Sequence, residues 1–207
     1  MIIYYSLSHI IYRIGMVFLA DSNITKRALA AAFKDLLEST PFEKISIGQL
    51  CEKCDMNRKS FYYHFRDKYD LVNWIYYTEF IAVARQKNYT LGWELMVDLC
   101  EYFYDNRSFY RKTFSIEGQN SFSDYFRDIV SMIIRTDMAG IFGDDEHMDF
   151  YVDFYADALI CAIRRWLSAK DCIPAKEFEA RLKKCLLITS GKILETFPAE
   201  AGQRHSI

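Results

Sequence analysis

From Ile24 onward, apolar residues return at helical intervals. Leu29, Ala32, Phe33, Leu36 and Leu37 fall at i, i+3, i+4, i+7 and i+8, a single stripe, with Lys26, Arg27, Lys34, Asp35 and Glu38 largely off it. Asn23 is placed to cap this helix, and Pro41 ends it near Ser39-Thr40 by biasing Thr40 away from the α region. Ser46 and Gln49 have capping-box spacing and open a helix of about two turns through Leu50 to Lys53. Cys54-Asp55-Met56 forms a tight connection with Asp as turn former. Asn57 caps a second short helix from Arg58 to about Phe65. Asp67 then caps a longer helix that begins near Lys68, carries Leu71, Trp74, Ile75 and Thr78 on its apolar face, and fades around Lys87-Asn88.

The helical period persists to the end. Trp93, Met96, Val97, Cys100 and Phe103 form a stripe stopped by Asp105-Asn106-Arg107; Ser108 to Phe114 is a short helix or turn; Phe122, Phe126, Ile129, Val130 and Ile133 form the next stripe. Gly140 and Gly143 mark a loop. Two long amphipathic stretches follow, about 146–169 and 175–197, with Pro174 at the start of the second. The tail from Pro198 is polar and reads as frayed. No alternation of strand type is sustained, and no internal repeat occurs. The pattern predicts an all-α chain.

Composition agrees. Only 8 Gly and 3 Pro in 207 residues leave too few turns for a sandwich or barrel. A hydrophobic fraction of 51% excludes wholesale disorder. The 16 Phe, 15 Tyr and 3 Trp call for a wide apolar interior, a cavity or a buried interface. A net charge of −2 rules out a uniformly basic coat but not a local basic patch. Six Cys without framework spacing read as reduced thiols, which points to the cytoplasm. No internal run is long and apolar enough for a membrane span. Residues 1–21 are set apart as an extension: the preferred reading takes Met16 as the natural start, with a helix packed on the body or a targeting segment as alternatives. The absence of a basic n-region and the interruption at Arg13 disfavour a signal peptide.

The informative stretch is Ser46 to Asp70. Two short helices joined by a tight turn and preceded by an amphipathic helix make a helix-turn-helix. Ile47, Leu50, Cys51, Met56, Phe61 and Phe65 are the apolar residues that lock the pair together. The second helix offers a different set outward: Arg58, Lys59, Ser60, Tyr62, Tyr63 and His64. Arg58, Lys59, Arg66 and Lys68 against Asp67 give this segment a local charge of +3. Such a helix suits a DNA major groove. Arg58 and Lys59 stand in its first turn, where side chains reach base edges, and Arg58 has the fork that grips guanine O6 and N7. Ser60 is small and allows close approach. Tyr62, Tyr63 and His64 supply donors at phosphate distance. Lys68 and Ser46 mark two further helix N-termini facing the backbone. The bland alternative is a solvated face with packed tyrosines.

The run from Ser46 to Leu71, and above all Phe61-Tyr62-x-His64-Phe65-x-x-Lys68-x-x-Leu71, resembles the DNA-binding region of TetR-family transcription regulators. Cys54 departs from the small residue, often Gly or Ala, usual there. The resemblance covers about residues 22–87 and implies a three-helix DNA-binding head over 22–67, a helical ligand and dimerisation domain over 68–198 and a tail over 199–207. It implies a homodimer on a palindromic double-stranded operator, with Arg58, Lys59, Ser60, Tyr62, Tyr63, His64 and Lys68 as DNA contacts; Ser46 joins them only from its place at a helix N-terminus. It also implies an unknown small-molecule effector or co-regulator protein, no cofactor and, by family frequency, repression. Leu71-Val72-Asn73-Trp74-Ile75, Gly118-Gln119-Asn120-Ser121-Phe122 and Ala162-Ile163-Arg164-Arg165-Trp166-Leu167 are similar to the branch that contains the dihydroxyacetone kinase operon activator. That similarity implies the alternative, an activator working with a co-activator protein. A helical module without DNA function is the other alternative.

Trp93, Phe103, Phe114, Tyr125, Phe126 and Tyr155 either line an effector cavity or fill the core, since stripes at helical spacing serve both. Phe154, Ala158, Cys161, Ala162, Leu186 and Ser190 are candidates for a dimer interface in the last two helices. Cys51-x-x-Cys54 has no second ligand pair and reads as core thiols. Asp144-Asp145-Glu146 with Asp149 and Asp153 reads as charge bias at a helix start rather than a metal site. No nucleophile elbow, phosphate loop or dinucleotide fingerprint occurs, so no enzyme is expected.

Overall fold

The computed structural model of the chain describes residues 23–196 apart from positions 88, 90, 91, 119 and 144, and every regular element among them is a helix. The readings of residues 1–21 and of the tail lie outside the described residues.

Helix α1 spans Asn23–Ser39. Its predicted stripe is the buried one: Leu29 and Phe33 are fully buried, and Ala32 and Leu37 nearly so. Beyond Pro41 the chain makes a 3-10 turn at Phe42–Lys44. Helices α2 (Ile47–Lys53) and α3 (Arg58–His64) form the helix-turn-helix. Helix α4 begins at Lys68–Tyr76, widens into a π-helical turn over Tyr77–Ile81, and closes with a last α turn at Ala82–Ala84. It ends about one turn earlier than its sequence pattern suggests. Then come α5 (Gly92–Asp105), α6 (Arg107–Thr113), α7 (Phe122–Phe142), α8 (Met148–Ser168) and α9 (Ala175–Thr196). These are nine helices among the described residues.

One expected boundary moves. Gly140 is not in a loop but inside α7, and the helix stops only at Gly143, whose φ of 65° and ψ of −141° are a combination that residues with a Cβ rarely adopt. A single interior glycine costs a helix about 1 kcal/mol relative to alanine. A 21-residue helix laid along α8 absorbs that loss.

The head and the later helices share one continuous apolar core that runs from Leu29 to Phe178. Its centre is aromatic. Tyr76 of α4, Phe103 of α5, Tyr110 of α6, and Phe122 and Phe126 of α7 interlock, with Phe103 and Tyr110 ring centroids 4.7 Å apart and Phe122 and Phe126 stacked at 5.9 Å. A second node joins the last two helices: Trp166 of α8 stacks on Phe178 of α9 at 4.2 Å, and its indole N–H donates to the Ile173 carbonyl at 2.7 Å. Helix α9 lies along α5. Among the described residues, no helix is long and apolar enough to cross a membrane.

Candidate nucleic-acid interface

Three polar caps place the recognition helix. The Ser46 hydroxyl accepts from the Gln49 amide at 3.2 Å, and the Gln49 side chain accepts from the Ser46 amide at 2.9 Å, a complete capping box. Asn57 Oδ1 accepts from the Ser60 amide at 3.0 Å and starts α3. Asp67 Oδ1 accepts from the Asp70 amide at 2.8 Å and starts α4. Between α2 and α3 the backbone turns sharply: the Met56 amide returns to the Cys51 carbonyl at 2.8 Å, and Asp55 takes the left-handed region with φ 53°. Asp tolerates that region better than most residues with a Cβ. Cys54 ties the turn to α1 by donating its thiol toward the Ala28 carbonyl at 3.4 Å.

Two rings hold α3 to the body. Phe61 is fully buried and Phe65 nearly so, their centroids 5.7 Å apart, and Phe65 meets Trp74 of α4 at 5.7 Å. The other side of the helix faces solvent. Arg58 and Lys59 are exposed, Tyr62 is 59% exposed and Tyr63 72%. Ser60 and His64 are half-buried at the edge of that face. The candidate DNA residues of α3 are thus brought onto one outward strip, with its cations at the N-terminal end and its tyrosines toward the middle and C-terminal end.

Three of the candidate residues have polar partners within the head. Lys68 is the first. It donates to the carbonyls of Phe42 at 2.6 Å and Ile45 at 3.1 Å, with Glu43 at 3.4 Å, and lies 4.2 Å from the Phe42 ring centroid. Its three N–H donors are therefore taken by the 3-10 turn, and partial burial lowers its pKa from the ordinary lysine value. The hydroxyls of Ser46 and Ser60 take part in the surface caps, donating to Gln49 Oε1 at 3.0 Å and Asn57 Oδ1 at 3.3 Å. Gly48 is a residue the sequence pattern missed. A Cβ on it would stand 2.9 Å from the Arg58 guanidinium, so the absence of a side chain lets Arg58 lie against α2. The signal was there: a glycine in the first turn of a helix, where propensity disfavours one. Burial pushes the neighbouring Cys51 thiol up, and the Arg58 charge partly opposes that shift.

Of the six aromatics considered for an effector cavity, four come together and two do not. Phe103, Phe114, Tyr125 and Phe126 gather in the central cluster, but ring against ring, with Phe103–Phe126 at 5.3 Å and Phe114–Phe126 at 5.6 Å. Trp93 sits apart at the start of α5 with its indole N–H on Glu179 of α9, and Tyr155 is 41% exposed on α8. Of the interface candidates, Phe154, Ala158 and Cys161 are exposed along α8 and Leu186 is exposed on α9. Ala162 is half-buried beside a groove of about 410 Å³ lined by Trp166, Ile173, Phe178 and Leu182. Ser190 lies outside the residues whose side chains are described. Among the described residues no three His, Cys, Asp or Glu side chains are grouped to hold a metal ion.

Two family models match in succession. Residues 26–75 match the bacterial regulatory proteins of the tetR family, and residues 93–187 match a transcriptional regulator C-terminal region. The chain is 29% identical over 154 residues to the HTH-type dhaKLM operon transcriptional activator DhaS of Lactococcus lactis subsp. lactis (strain IL1403), an overlap of 70% of this chain and 79% of that protein. Among solved structures, the dihydroxyacetone kinase operon activator DhaS aligns with a TM-score of 0.60 at 23% identity, covering 81% of this chain and 97% of that one. A TetR transcriptional regulator from Streptococcus agalactiae 2603V aligns with a TM-score of 0.62 at 20% identity, covering 79% and 92%. These two likenesses establish the fold.

Proposed function

The chain belongs to the TetR family of DNA-binding transcription regulators, and from that premise we propose that it reads a near-palindromic operator as a homodimer, with a protein co-regulator acting on its C-terminal half. The observation that carries the DNA assignment is the outward strip of α3, where Arg58, Lys59, Tyr62 and Tyr63 stand exposed over the buried anchors Phe61 and Phe65. Arg58 is assigned to a base edge and the tyrosines to phosphates. Ser46, Ser60 and Lys68 act behind them by holding the helix ends. In a dimer the two α3 helices enter successive major grooves roughly 34–36 Å apart. The head is assigned to residues 22–67 and the regulatory and dimerisation half to 68–198.

The exposed face of α8 supports the second copy as its cover. Phe150 and Phe154 are 69% and 59% exposed and stack at 6.4 Å, and Ala158 and Cys161 continue the same face. Small residues there allow close helix approach. The solid packing of the central aromatics favours a protein partner over a small effector in the core. The relative from L. lactis is by name an operon activator, which favours activation over the repression that family frequency suggests.

The decisive experiment selects operators from random duplex DNA and measures binding by Arg58→Ala/Lys59→Ala. The double variant is expected to remain dimeric and to lose the specific complex. Unchanged operator affinity would show that the contact surface is elsewhere.

A further inference from the structure

The head does not hang from α4 alone. Lys34 of α1 and Glu79 of α4 meet with both carboxylate oxygens 2.6 Å from the ammonium. Glu79 leaves α4 within the π-helical turn, a kind of irregularity that often accompanies function. Its Oε2 also accepts from the Tyr102 hydroxyl of α5 at 3.1 Å. Because Tyr102 gives its one hydroxyl proton to Glu79, the 2.6 Å contact between the Tyr102 and Tyr110 hydroxyls requires Tyr110 of α6 to be the donor. A single ordered chain therefore runs from the buried aromatic core, through the linking helix, to the head.

A second tie grips the same helix at its end. Lys112 of α6 donates to the carbonyls of Leu37 and Glu38 at 2.7 and 2.6 Å, among the last carbonyls of α1. A cation at a helix C-terminus also meets the negative end of its dipole. The other end of α6 is fixed in the same manner, since Arg107 donates to the carbonyls of Leu167 and Ala169 at the end of α8. Phe109 of α6 adds an edge-to-face contact with Phe33 of α1 at 6.3 Å. The seven-residue α6 thus bears on α8 at one end and on α1 at the other.

From these contacts we infer that Glu79 and Lys112 are positioning residues for operator reading: together they fix the orientation of α1, and with it the head, relative to α8. One tie leaves a pivot, whereas two ties and the Phe33–Phe109 contact define a direction. The inference rests on the dimeric reading above, because only in a dimer does head orientation set the separation of the two recognition helices. None of these side chains belongs to the proposed DNA strip.

The test uses the full chain with Glu79→Gln, Tyr102→Phe and Lys112→Met. Binding is measured to the selected operator, to the same half-sites moved apart or together by one base pair, and to a single half-site. The wild type is expected to favour one spacing by roughly tenfold, a coupling within the usual range for linked sites. Each variant should flatten that preference while single half-site affinity stays unchanged, and the reversed pair Lys34→Glu/Glu79→Lys should recover part of it, since it rebuilds the ion pair but not the bond from Tyr102. Variants that keep the wild-type spacing profile overturn the inference. If the wild type itself shows no spacing preference, the dimeric reading has failed and the ties are judged by hydrogen exchange. Faster exchange of the 34–40 amides in Glu79→Gln and Lys112→Met then supports them, and unchanged exchange overturns them.

Discussion

Replacing Asn57 by alanine removes one side-chain oxygen and asks whether the recognition helix depends on it. Helix α3 has only seven residues, too few to be stable alone. Its first turn is held by Asn57 Oδ1, which takes the Ser60 amide at 3.0 Å and the Ser60 hydroxyl at 3.3 Å. Losing such a cap costs about 1 kcal/mol, which in a chain of this size lowers Tm by about 2–4 °C. The anchors Phe61 and Phe65 persist, so the fold survives. Fraying confined to the first turn displaces Arg58 and Lys59, and binding must then re-form that turn. The weakening of operator affinity is therefore bounded by the cap energy, about fivefold for 1 kcal/mol. Asn57→Ser should recover most of both losses, because a hydroxyl serves the same amide. Thermal unfolding followed by circular dichroism and operator titration by fluorescence anisotropy read the two effects. An alanine variant with wild-type Tm, or a serine variant as impaired as alanine, would refute the reasoning.

Four further outcomes are expected. Phe103→Ala removes a fully buried ring at the centre of the aromatic cluster and should cost roughly 3–5 kcal/mol, seen as a large drop in the urea midpoint. At Asp55, with φ 53°, alanine should be less stable than glycine by about 1 kcal/mol in the same assay, because only the glycine is free of Cβ strain in the left-handed region. Cys100, whose thiol is pushed up to about 12 chiefly by burial, should resist iodoacetamide at pH 8 until the protein unfolds. Cys161, exposed on the subunit, should react in the dilute monomer and be shielded in the dimer; equal labelling in both would exclude this face of α8 from the interface.

The head was legible from sequence because its signals are local. Ser46, Asn57 and Asp67 each satisfy amides three residues away, and the stripe of α1 needs only the helical period to be read. What the sequence left open depends on contacts made across long separations. Lys68 looks like a phosphate ligand by its place at a helix start, but its carbonyl partners lie 23 to 26 residues earlier. Lys34, Glu79 and Lys112 look like ordinary solvated charges until the fold brings them within reach. The π turn in α4 has no marker in residue type. The aromatics were readable as a group, but which of them pack ring against ring is set by the fold, and here Tyr76, Phe103, Tyr110 and Phe126 do.

That packing bears on the proposed control. An effector admitted to the centre would have to separate rings already in contact at 4.7 to 6 Å, losing dispersion and burial on several side chains at once. A partner on the surface faces no such cost. To act, it needs only to favour one setting of α8 over another, because Arg107 joins the end of α8 to α6 and Lys112 joins α6 to the head. Its leverage equals its differential affinity for the two settings, whatever its total affinity. Control from outside is thus compatible with rings packed this closely.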